Sequence, residues 1–378
     1  TATALPAARF VGNVDPTRVV VSAVFEGRDP WGMETVLLYR SLDRFGGQLA
    51  RAKRRAYCVG ELTPTVAAEL AALNVEVIRA DPIDPRCPHA NKLHMLEAGP
   101  DIDWVVMLDT DIVIAGDFSA HLTGTGVLAK PVDQDPLGWA GWQQLFGHAG
   151  VAIPDTRYLT HFYHQETIPY FNSGVVIVPA QHVETLRASW LHHVARLLDS
   201  YEALPLVAPH RFFTDQFAFA LALAETGTPH RALPLEMNFP THAPVHAAFE
   251  PDAVQPLIVH HHHEFEDGWK IKACPHLQPS LVIAQVNAAL ETVEVPQLAG
   301  VGAAAAPVSA PETGFDNREF WNHRYTTNMD LGSGWGSRLE QVVEFKRSIM
   351  RMVIDQADPQ TLLDIGCGDI EVIRGISY

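Results

Sequence analysis

The fold is decided by residues 101–114, whose sequence is DIDWVVMLDTDIVI. A polar turn followed by a short apolar run rich in β-branched residues is typical of a buried central strand. Asp109 and Asp111 lie two positions apart, so on an extended chain both side chains point to the same side. Two carboxylates at the end of a buried strand repel each other unless a cation neutralises them, and a divalent ion that brings its own phosphate ligands would do so. The alternative is a turn whose two aspartates are solvated.

Strand and helix patterns alternate before this stretch. The β-branched and apolar runs predict strands at residues 18–25, 56–59 and 75–78, and apolar residues at helical spacing predict helices at residues 33–45 and 65–73. Such alternation implies an α/β, Rossmann-like fold whose mostly parallel sheet carries helices on both faces. In these sheets ligands bind at the carboxyl ends of the strands, which is where the two aspartates lie.

Polar residues at other element ends are further candidates. Lys92 lies at a helix start after Pro88, where it can meet a phosphate or remain a solvated surface lysine. Residues 170–179, YFNSGVVIVP, predict a strand with small polar groups at its entry. Asp215 opens a later helix, where the helix dipole alone would favour an acidic residue. Each of these residues therefore has a structural explanation beside the functional one.

Residues 137–170 combine aromatic residues and glycine with weak periodicity. A loop of this length inside a compact domain is usually a lid or a binding loop. A surface excursion with a small core of its own is the alternative.

Four consecutive histidines end a predicted strand at residues 257–263, LIVHHHH. In an extended chain His260 and His262 share one face, while His261 and His263 share the other. Imidazole is an acceptable ligand for manganese, and the aspartate pair needs a third ligand. We therefore expect one face of this run to complete a metal site, with a merely polar strand end as the alternative.

The overall composition excludes several classes of protein. A hydrophobic fraction of 47% among 378 residues supports a folded core, and a net charge of −17 without a long basic run argues against nucleic-acid binding. No apolar run reaches the roughly eighteen residues of a transmembrane helix, and no secretory signal is recognisable. The four cysteines form no CxxC pair, which favours a reducing cytoplasm, with a peripheral position at the inner membrane as the alternative. No pattern specifies an oligomeric state.

The chain changes character after residue 290. Residues 291–315, rich in alanine, proline and glycine, predict a linker between an N-terminal domain at residues 1–290 and a second domain at residues 316–378. In that second part LLDIGCGD, at residues 362–369, predicts a strand that runs into a glycine turn. The chain begins without methionine and ends shortly after this motif, so we expect both ends to be processing or truncation boundaries.

Residues 18–275 resemble GT-A glycosyltransferases, and among them they look most like the glycogenin and galactosyltransferase type known as family 8. The resemblance rests on five segments in the expected order, which are Asn91-Lys92-Leu93, Asp109-Thr110-Asp111, Phe171-Asn172-Ser173-Gly174, Asp215-Gln216, and the histidine strand before Gly268 and Lys270. It implies a nucleotide-sugar donor, expected to be a UDP-sugar, and a bound Mn²⁺ or Mg²⁺. It also implies a hydroxyl acceptor, such as a glycan.

The resemblance also implies roles for individual residues. The metal would be held by Asp109, Asp111 and a histidine from the pair His260 and His262. Catalytic contacts to the donor sugar are implied for Asn172, Asp215 and Gln216. The other contacts to the donor are implied for Asn91, Lys92, Asp109, Ser173, Gly174 and Lys270. The chain departs from the family pattern where Phe217-Ala218 replaces the usual Leu-Asn, and in the spacing of Gly268 and Lys270 from the histidines.

The segment from about Phe320 resembles the opening of a class I S-adenosylmethionine methyltransferase, because LDIGCG at residues 363–368 looks like its first nucleotide-binding motif. In a complete domain the resemblance implies contacts to S-adenosylmethionine from Asp364, Gly366 and Gly368. Here Ile370 lies where a third glycine is usual, and the later strands of that fold are missing. We therefore expect a C-terminal fragment of a second α/β domain that neither holds S-adenosylmethionine nor transfers a methyl group.

The sequence thus predicts a metal-dependent enzyme that moves a hexosyl or pentosyl group to a hydroxyl acceptor, in bacterial polysaccharide or glycoconjugate synthesis. One alternative is a phosphatase of the haloacid-dehalogenase type, with Asp109 as nucleophile and Asp111 as acid. Its motif normally lies on the first strand of a domain, whereas three strands are predicted before this one. A second alternative is a non-catalytic, metal-dependent module that only binds a nucleotide-sugar.

The composition of the linker predicts where proteases cut. Limited proteolysis should cleave within residues 291–315 and leave a stable N-terminal fragment, which intact-mass measurement would identify. Cleavage that begins within residues 137–170 while the linker stays protected would place the domain boundary elsewhere.

Overall fold

The structure is a computed structural model, and it describes residues 14–27, 30–266 and 268–291. By its internal contacts the chain divides between Val295 and Pro296, so every described residue belongs to the first unit. The methyltransferase-like segment and all but the first residue of the expected linker lie outside the described residues. The domain boundary at residue 290 therefore stays a prediction.

Fourteen strands form within the described residues. In chain order they are β1 Val19–Glu26, β2 Lys53–Val59, β3 Val75–Ala80, β4 Trp104–Leu108, β5 Ile112–Ile114, β6 Val127–Pro131, β7 Tyr158–Leu159, β8 Glu166–Thr167, β9 Phe171–Pro179, β10 His230–Ala232, β11 Phe239–Pro240, β12 Ile258–His260, β13 Phe265–Glu266 and β14 Lys270–Ile271.

Six α-helices accompany these strands. They are α1 Trp31–Phe45, α2 Pro64–Ala72, α3 Gly138–Ala149, α4 Ala180–Ser200, α5 Thr214–Thr226 and α6 Leu277–Glu291. Short 3₁₀ helices connect them at Pro16–Arg18, Gly47–Arg51, Pro88–Met95, Ser119–His121, Tyr201–Ala203, Ala208–Phe213, Leu235–Met237, Ala247–Phe249 and Pro251–Ala253. Local chemistry explains several ends: the Thr63 hydroxyl accepts the backbone N–H of Val66 at the start of α2, and Gly227 ends α5 with a φ of 60°.

The main sheet has seven strands in the spatial order β10-β6-β9-β4-β1-β2-β3. Strands β4, β1, β2 and β3 are mutually parallel, and β9 runs antiparallel between β4 and β6. This confirms the predicted α/β class with a mostly parallel sheet. The predicted strands before β4 and the helices between them lie within a few residues of the observed ones, because their apolar patterns match what the sheet buries.

Residues 101–114 form two strands, and the two aspartates follow the first of them instead of sharing one side of an extended strand. Strand β4 ends at Leu108, the chain turns at Asp109–Asp111, and Ile112 begins β5 in a different, three-stranded sheet of order β11-β12-β5. Both strands are apolar and buried, so the sequence pattern does not mark the break between them. The two aspartates lie in this turn, and strand alternation does not govern where their side chains point.

The expectation of a long loop at residues 137–170 is wrong. The segment contains α3 and the β7–β8 hairpin, and its Trp142 and Phe146 are buried in the main hydrophobic core rather than in a core of their own. The ring of Trp142 contacts Tyr170 and Phe217 at centroid distances of 4.8 and 5.7 Å. Glycines within α3 weakened the helical pattern, and tertiary packing overrode that weakness.

The buried His161 should make the fold sensitive to mild acid. Its Nδ1–H donates to the Pro131 carbonyl at 3.1 Å, and burial lowers the pKa of the ring from 6.5 to about 4. Between these values the unfolded chain binds a proton that the folded chain does not, so stability falls as the pH decreases from 6.5 to 4. Urea denaturation should show a contribution of up to about 1.4 kcal/mol per pH unit in this window.

Replacing His161 by leucine should flatten this pH slope, whereas alanine at the exposed His192 should not change it. The same slope in wild type and His161→Leu would contradict the assignment.

Candidate active site

The site begins at the turn that follows β4. The backbone N–H of Asp109 donates to the Gly174 carbonyl at 2.9 Å, which ties the turn to β9. The backbone N–H of His261 donates to the Asp111 carbonyl at 2.9 Å, which ties the same turn to the end of β12. The two aspartates are thereby directed to two different sets of partners.

Asp109 belongs to a group that we call the lysine cluster, formed by Lys92, Asp109, Ser173 and Asp215. The Lys92 ammonium lies 2.8 Å from Asp109 Oδ2, 2.9 Å from Ser173 Oγ and 3.6 Å from Asp215 Oδ2. Ser173 in turn donates its hydroxyl to Asp215 Oδ2 at 2.8 Å. Lys92 therefore joins the 3₁₀ helix at Pro88–Met95, strand β9 and helix α5 to the turn after β4.

Burial and charge act in opposite directions within the lysine cluster. Burial would lower the pKa of Lys92, but Asp109 and Asp215 outweigh it and raise that pKa above its ordinary value. Burial raises the pKa of Asp109, and Lys92 counteracts part of that rise. The 2.8 Å contact between Lys92 Nζ and Asp109 Oδ2 fits an ion pair, in which the ammonium and the carboxylate are both charged at neutral pH.

Asp111 belongs to a second group, the histidine cluster, formed by Asp111, His260 and His262. One possible ligand atom from each of these three residues lies within 4.8 Å of the other two. His260 Nε2 is 3.2 Å from Asp111 Oδ2, and His262 Nδ1 is 4.0 Å from the same oxygen. The His260 and His262 rings stack at 3.8 Å, and His262 Nε2 is buried without a hydrogen-bond partner among the described residues.

The protonation states of Asp111 and His262 suit a cation. Burial alone would raise the pKa of Asp111, but His260 and the neighbouring histidines hold it well below its ordinary value. Burial lowers the pKa of His262, assisted by His260 and His242, so its ring is neutral at pH 7. An ionised Asp111 and a neutral His262 are in the forms in which these side chains bind metal ions.

The histidine run does not follow strand alternation. Strand β12 ends at His260, and His262 and His263 have positive φ angles of 49° and 61°. His260 and His262 still meet on one side, as predicted, but a turn brings them together. His263 does not accompany His261: its Nε2 lies 3.7 Å from Asp111 Oδ2, whereas His261 is buried beside Phe265.

Glu34 lies at this edge of the site and was not predicted. It lies in the first turn of α1, is 1% exposed, and accepts a hydrogen bond from His263 Nδ1 at 2.7 Å. This bond raises the pKa of His263 to about 9, so the His263 ring is charged at neutral pH. The position of Glu34 directly after the first βα connection could have suggested it, because that connection lies at the carboxyl edge of the sheet.

The Asn-Ser-Gly segment of β9 supports both clusters. Ser173 belongs to the lysine cluster, whereas Gly174 lies against the His260 ring and Asn172 reaches that ring through Asn238. Asn172 Oδ1 accepts the backbone N–H of Gly174 at 2.8 Å and the Nδ2 of Asn238 at 3.0 Å. Asn238 Oδ1 lies 3.0 Å from His260 Nδ1. Asn238, which the sequence analysis missed, precedes a strand of two residues and has no pattern that would mark it.

The remaining predicted site residues are not part of either cluster. The Asn91 side chain accepts the backbone N–H of Ile83 at 2.9 Å, which holds a loop in place. Gln216 is half-buried next to Asp215 in α5, and Lys270 is exposed in the β13–β14 hairpin. Asp364, Gly366 and Gly368 lie outside the described residues. The roles predicted for all these side chains stay predictions.

Most of the elements described above lie in a region that matches a known protein family. The model of the Rhodobacterales glycosyltransferase domain matches residues 26–227, just over half of the chain. The chain belongs to this family. The match includes the turn after β4, the Asn-Ser-Gly segment and the start of α5, whereas the histidine cluster draws its two imidazoles from beyond it.

The glycosyltransferase is also similar to solved structures of low sequence identity. Mouse xyloside xylosyltransferase 1 in its apo form is 18% identical over 64% of this chain and 96% of that chain, with a TM-score of 0.40. The galactosyltransferase LgtC in complex with donor and acceptor sugar analogs is 14% identical over 72% and 95%, with a TM-score of 0.44. The bifunctional WbbM is 15% identical over 68% and 47%, with a TM-score of 0.40.

No curated protein matches the glycosyltransferase. Among its described helices, none has the length and apolar character needed to cross a bilayer.

The lysine cluster predicts a large loss of stability when its cation is removed. Lys92→Met keeps the side-chain volume but leaves Asp109 and Asp215 buried without their cation, which should cost about 3–5 kcal/mol in urea denaturation. Lys272→Met is the matched control, because its 2.7 Å pair with Glu264 is half exposed and should contribute less than about 1 kcal/mol. If Lys92 served only to bind a donor phosphate, the ligand-free Lys92→Met protein would be as stable as wild type.

Proposed function

We propose that this glycosyltransferase uses the GT-A mode of catalysis, moving a hexosyl or pentosyl group from a UDP-sugar to a hydroxyl of a glycan or similar acceptor. The proposal includes a divalent cation held by Asp111, His260 and His262. The observation that carries it is the histidine cluster, whose three ligand atoms lie within 4.8 Å of one another directly after the central strand. Synthesis of a bacterial polysaccharide or glycoconjugate is the setting that we propose.

The donor set of the histidine cluster favours Mn²⁺ over Mg²⁺. Mg²⁺ prefers oxygen ligands and retains several waters, whereas imidazole nitrogen is acceptable to Mn²⁺. The unpartnered, buried Nε2 of His262 supports a cation as the missing partner, since an unpaired polar atom in the interior is costly. Asp109 remains a proposed ligand that would have to exchange part of its contact with Lys92 for the metal.

A bound cation would offset the negative charge that builds on the leaving diphosphate as the anomeric bond breaks. The side chains around the cation would hold the reacting groups in position for that step. Lys92 fixes the turn after β4 and holds Asp215 near the start of α5. Asp215 is 2% exposed and already receives the Ser173 hydroxyl, so we propose that it acts as a fixed charge beside the donor sugar. Gln216, next to it, is the proposed polar contact to that sugar.

The phosphatase alternative has little support. Its nucleophile would be Asp109, but this carboxylate is engaged by the Lys92 ammonium at 2.8 Å, and β4 follows three other strands of the sheet. Membership of a glycosyltransferase family also favours sugar transfer over phosphoester hydrolysis. It likewise favours an enzyme over a module that only binds a nucleotide-sugar.

One assay distinguishes these functions. Release of sugar from UDP-sugars in the presence of Mn²⁺ would support the transferase. Release of phosphate from phosphomonoesters would support the phosphatase, and binding of UDP-sugar without turnover in the presence of acceptors would support the binding module.

Asp111→Asn should abolish Mn²⁺ binding measured by calorimetry, and with it the Mn²⁺-dependent release of sugar. The amide keeps the size of the side chain but removes the negative charge that attracts the cation. The control is Asp103→Asn, which removes a half-exposed carboxylate paired with Arg18 and should leave Mn²⁺ binding unchanged. Full Mn²⁺ affinity in Asp111→Asn would refute the proposed ligand.

A further inference from the structure

A chain of hydrogen bonds leads from β9 to His260. It begins at the backbone N–H of Gly174, which donates to Asn172 Oδ1 at 2.8 Å. The Nδ2 of Asn238 donates to the same oxygen at 3.0 Å, and Asn238 Oδ1 faces His260 Nδ1 at 3.0 Å. We call these three side chains, Asn172, Asn238 and His260, the asparagine relay.

The backbone N–H of Gly174 sets the direction of every hydrogen bond in the asparagine relay. A backbone N–H can only donate, so the Asn172 atom beside Gly174 must be its oxygen. That oxygen can only accept, so Asn238 must turn its NH₂ group toward Asn172 and its oxygen toward His260. The His260 Nδ1 must then carry a proton, and in the neutral ring Nε2 is left with a free lone pair.

Steric contacts hold the ring in the same place. A Cβ atom at position 174 would lie 2.6 Å from His260 Cε1 and 2.9 Å from Asn172 Oδ1, so only glycine leaves room for both. Asn238 is fully buried, and His260 is 4% exposed, so neither group can exchange its partner for bulk water. His260 Nε2 is thereby directed to the Asp111 carboxylate, 3.2 Å away. In the neutral ring its lone pair faces that negative charge, which is unfavourable unless a cation lies between them.

We propose that Asn172 and Asn238 are positioning residues that fix the tautomer and orientation of His260, so that its Nε2 is presented to the cation shared with Asp111. The Asn-Ser-Gly segment then acts on the metal ligand through Asn172 and Gly174, rather than on the donor sugar through Asn172. This inference rests on the metal site of the proposed function. Partners that orient a ligating histidine typically change metal affinity by 10–100-fold when they are removed.

The test uses two pairs of variants in the full chain. Asn238→Leu removes the acceptor for His260 Nδ1–H at similar volume, and Asn238→Asp retains an acceptor oxygen. Asn172→Ala releases the amide of Asn238, and Asn172→Asp retains the oxygen that accepts from Gly174 and Asn238. Asn287→Ala is the matched control, because it removes two amide hydrogen bonds to the backbone of Ile271, at 3.0 and 2.9 Å, outside the relay.

Two measurements report on these variants. Calorimetry with Mn²⁺ gives the affinity. The ¹⁵N chemical shifts of the imidazole nitrogens, recorded on the metal-free protein at a pH where the ring is neutral, give the tautomer of His260. We expect the Nδ1–H tautomer in wild type, Asn238→Asp and Asn172→Asp, with Mn²⁺ affinity close to wild type. We expect mixed tautomers in Asn238→Leu and Asn172→Ala, with affinity reduced by about 10–100-fold in Asn238→Leu.

Several results would overturn the inference. Wild-type affinity and a pure Nδ1–H tautomer in both Asn238→Leu and Asn172→Ala would show that the relay does not position His260. An equal loss of affinity in Asn287→Ala would mean general destabilisation instead. If Asn238→Leu does not fold, the Asn172 pair decides alone, because that side chain is only half-buried. Absence of Mn²⁺ binding in wild type would refute the metal site, while the tautomer spectra would still decide the relay.

Discussion

Keeping two aspartates charged at the end of a buried strand is the constraint on which the site depends. β4 is fully flanked by β1 and β9, so the carboxylates that follow it lie where burial raises their pKa. The Lys92 ammonium, which is buried and lies 2.8 Å from Asp109, offsets the cost of burying the Asp109 charge. Because Lys92 also reaches Asp215 and Ser173, one cation holds together a 3₁₀ helix, β9 and α5 around the turn.

Asp111 is stabilised differently, by imidazole rings that come from much later in the sequence, at and just after the end of β12. The small sheet β11-β12-β5 carries the histidine run to the turn, because β5 begins directly after Asp111 and pairs antiparallel with β12. Asp109 is thus paired with the permanent cation of Lys92, whereas Asp111 is paired with the imidazoles for which we propose a bound metal ion. The Asn-Ser-Gly segment of β9 lies between them, with Ser173 in the lysine cluster and Asn172 beside His260 through Asn238. Loss of either support would shift the turn that both clusters share.

Much of the main sheet could be predicted because its strands are short, apolar and separated by helices with clear ends. The strand at β9 and the helices α1 and α2 were predicted to within a few residues for the same reason. Predictions failed where packing overrode the local pattern: α3 forms despite its glycines because Trp142 fills the main core, and residues 101–114 contain two strands because two different sheets bury them. The sequence names all the members of the two clusters as candidates, and their functional roles stay predictions. These residues are Lys92, Asp109, Asp111, Ser173, Asp215, His260 and His262. Their division into two clusters was not predicted.

The sequence by itself determined the α/β class, the order of the elements from β1 to β4 and the residue types at the end of the central strand, because hydrophobic periodicity and turn chemistry are local properties of the chain. Only the tertiary structure decided which side chains contact one another. Lys92 meets Asp215, Glu34 meets His263, and Asn238 meets both Asn172 and His260 across long separations in sequence. Such contacts depend on the order of the strands in the sheet and on where the turns end. A contact between two single side chains leaves no periodic pattern in the sequence, so the sequence cannot reveal it.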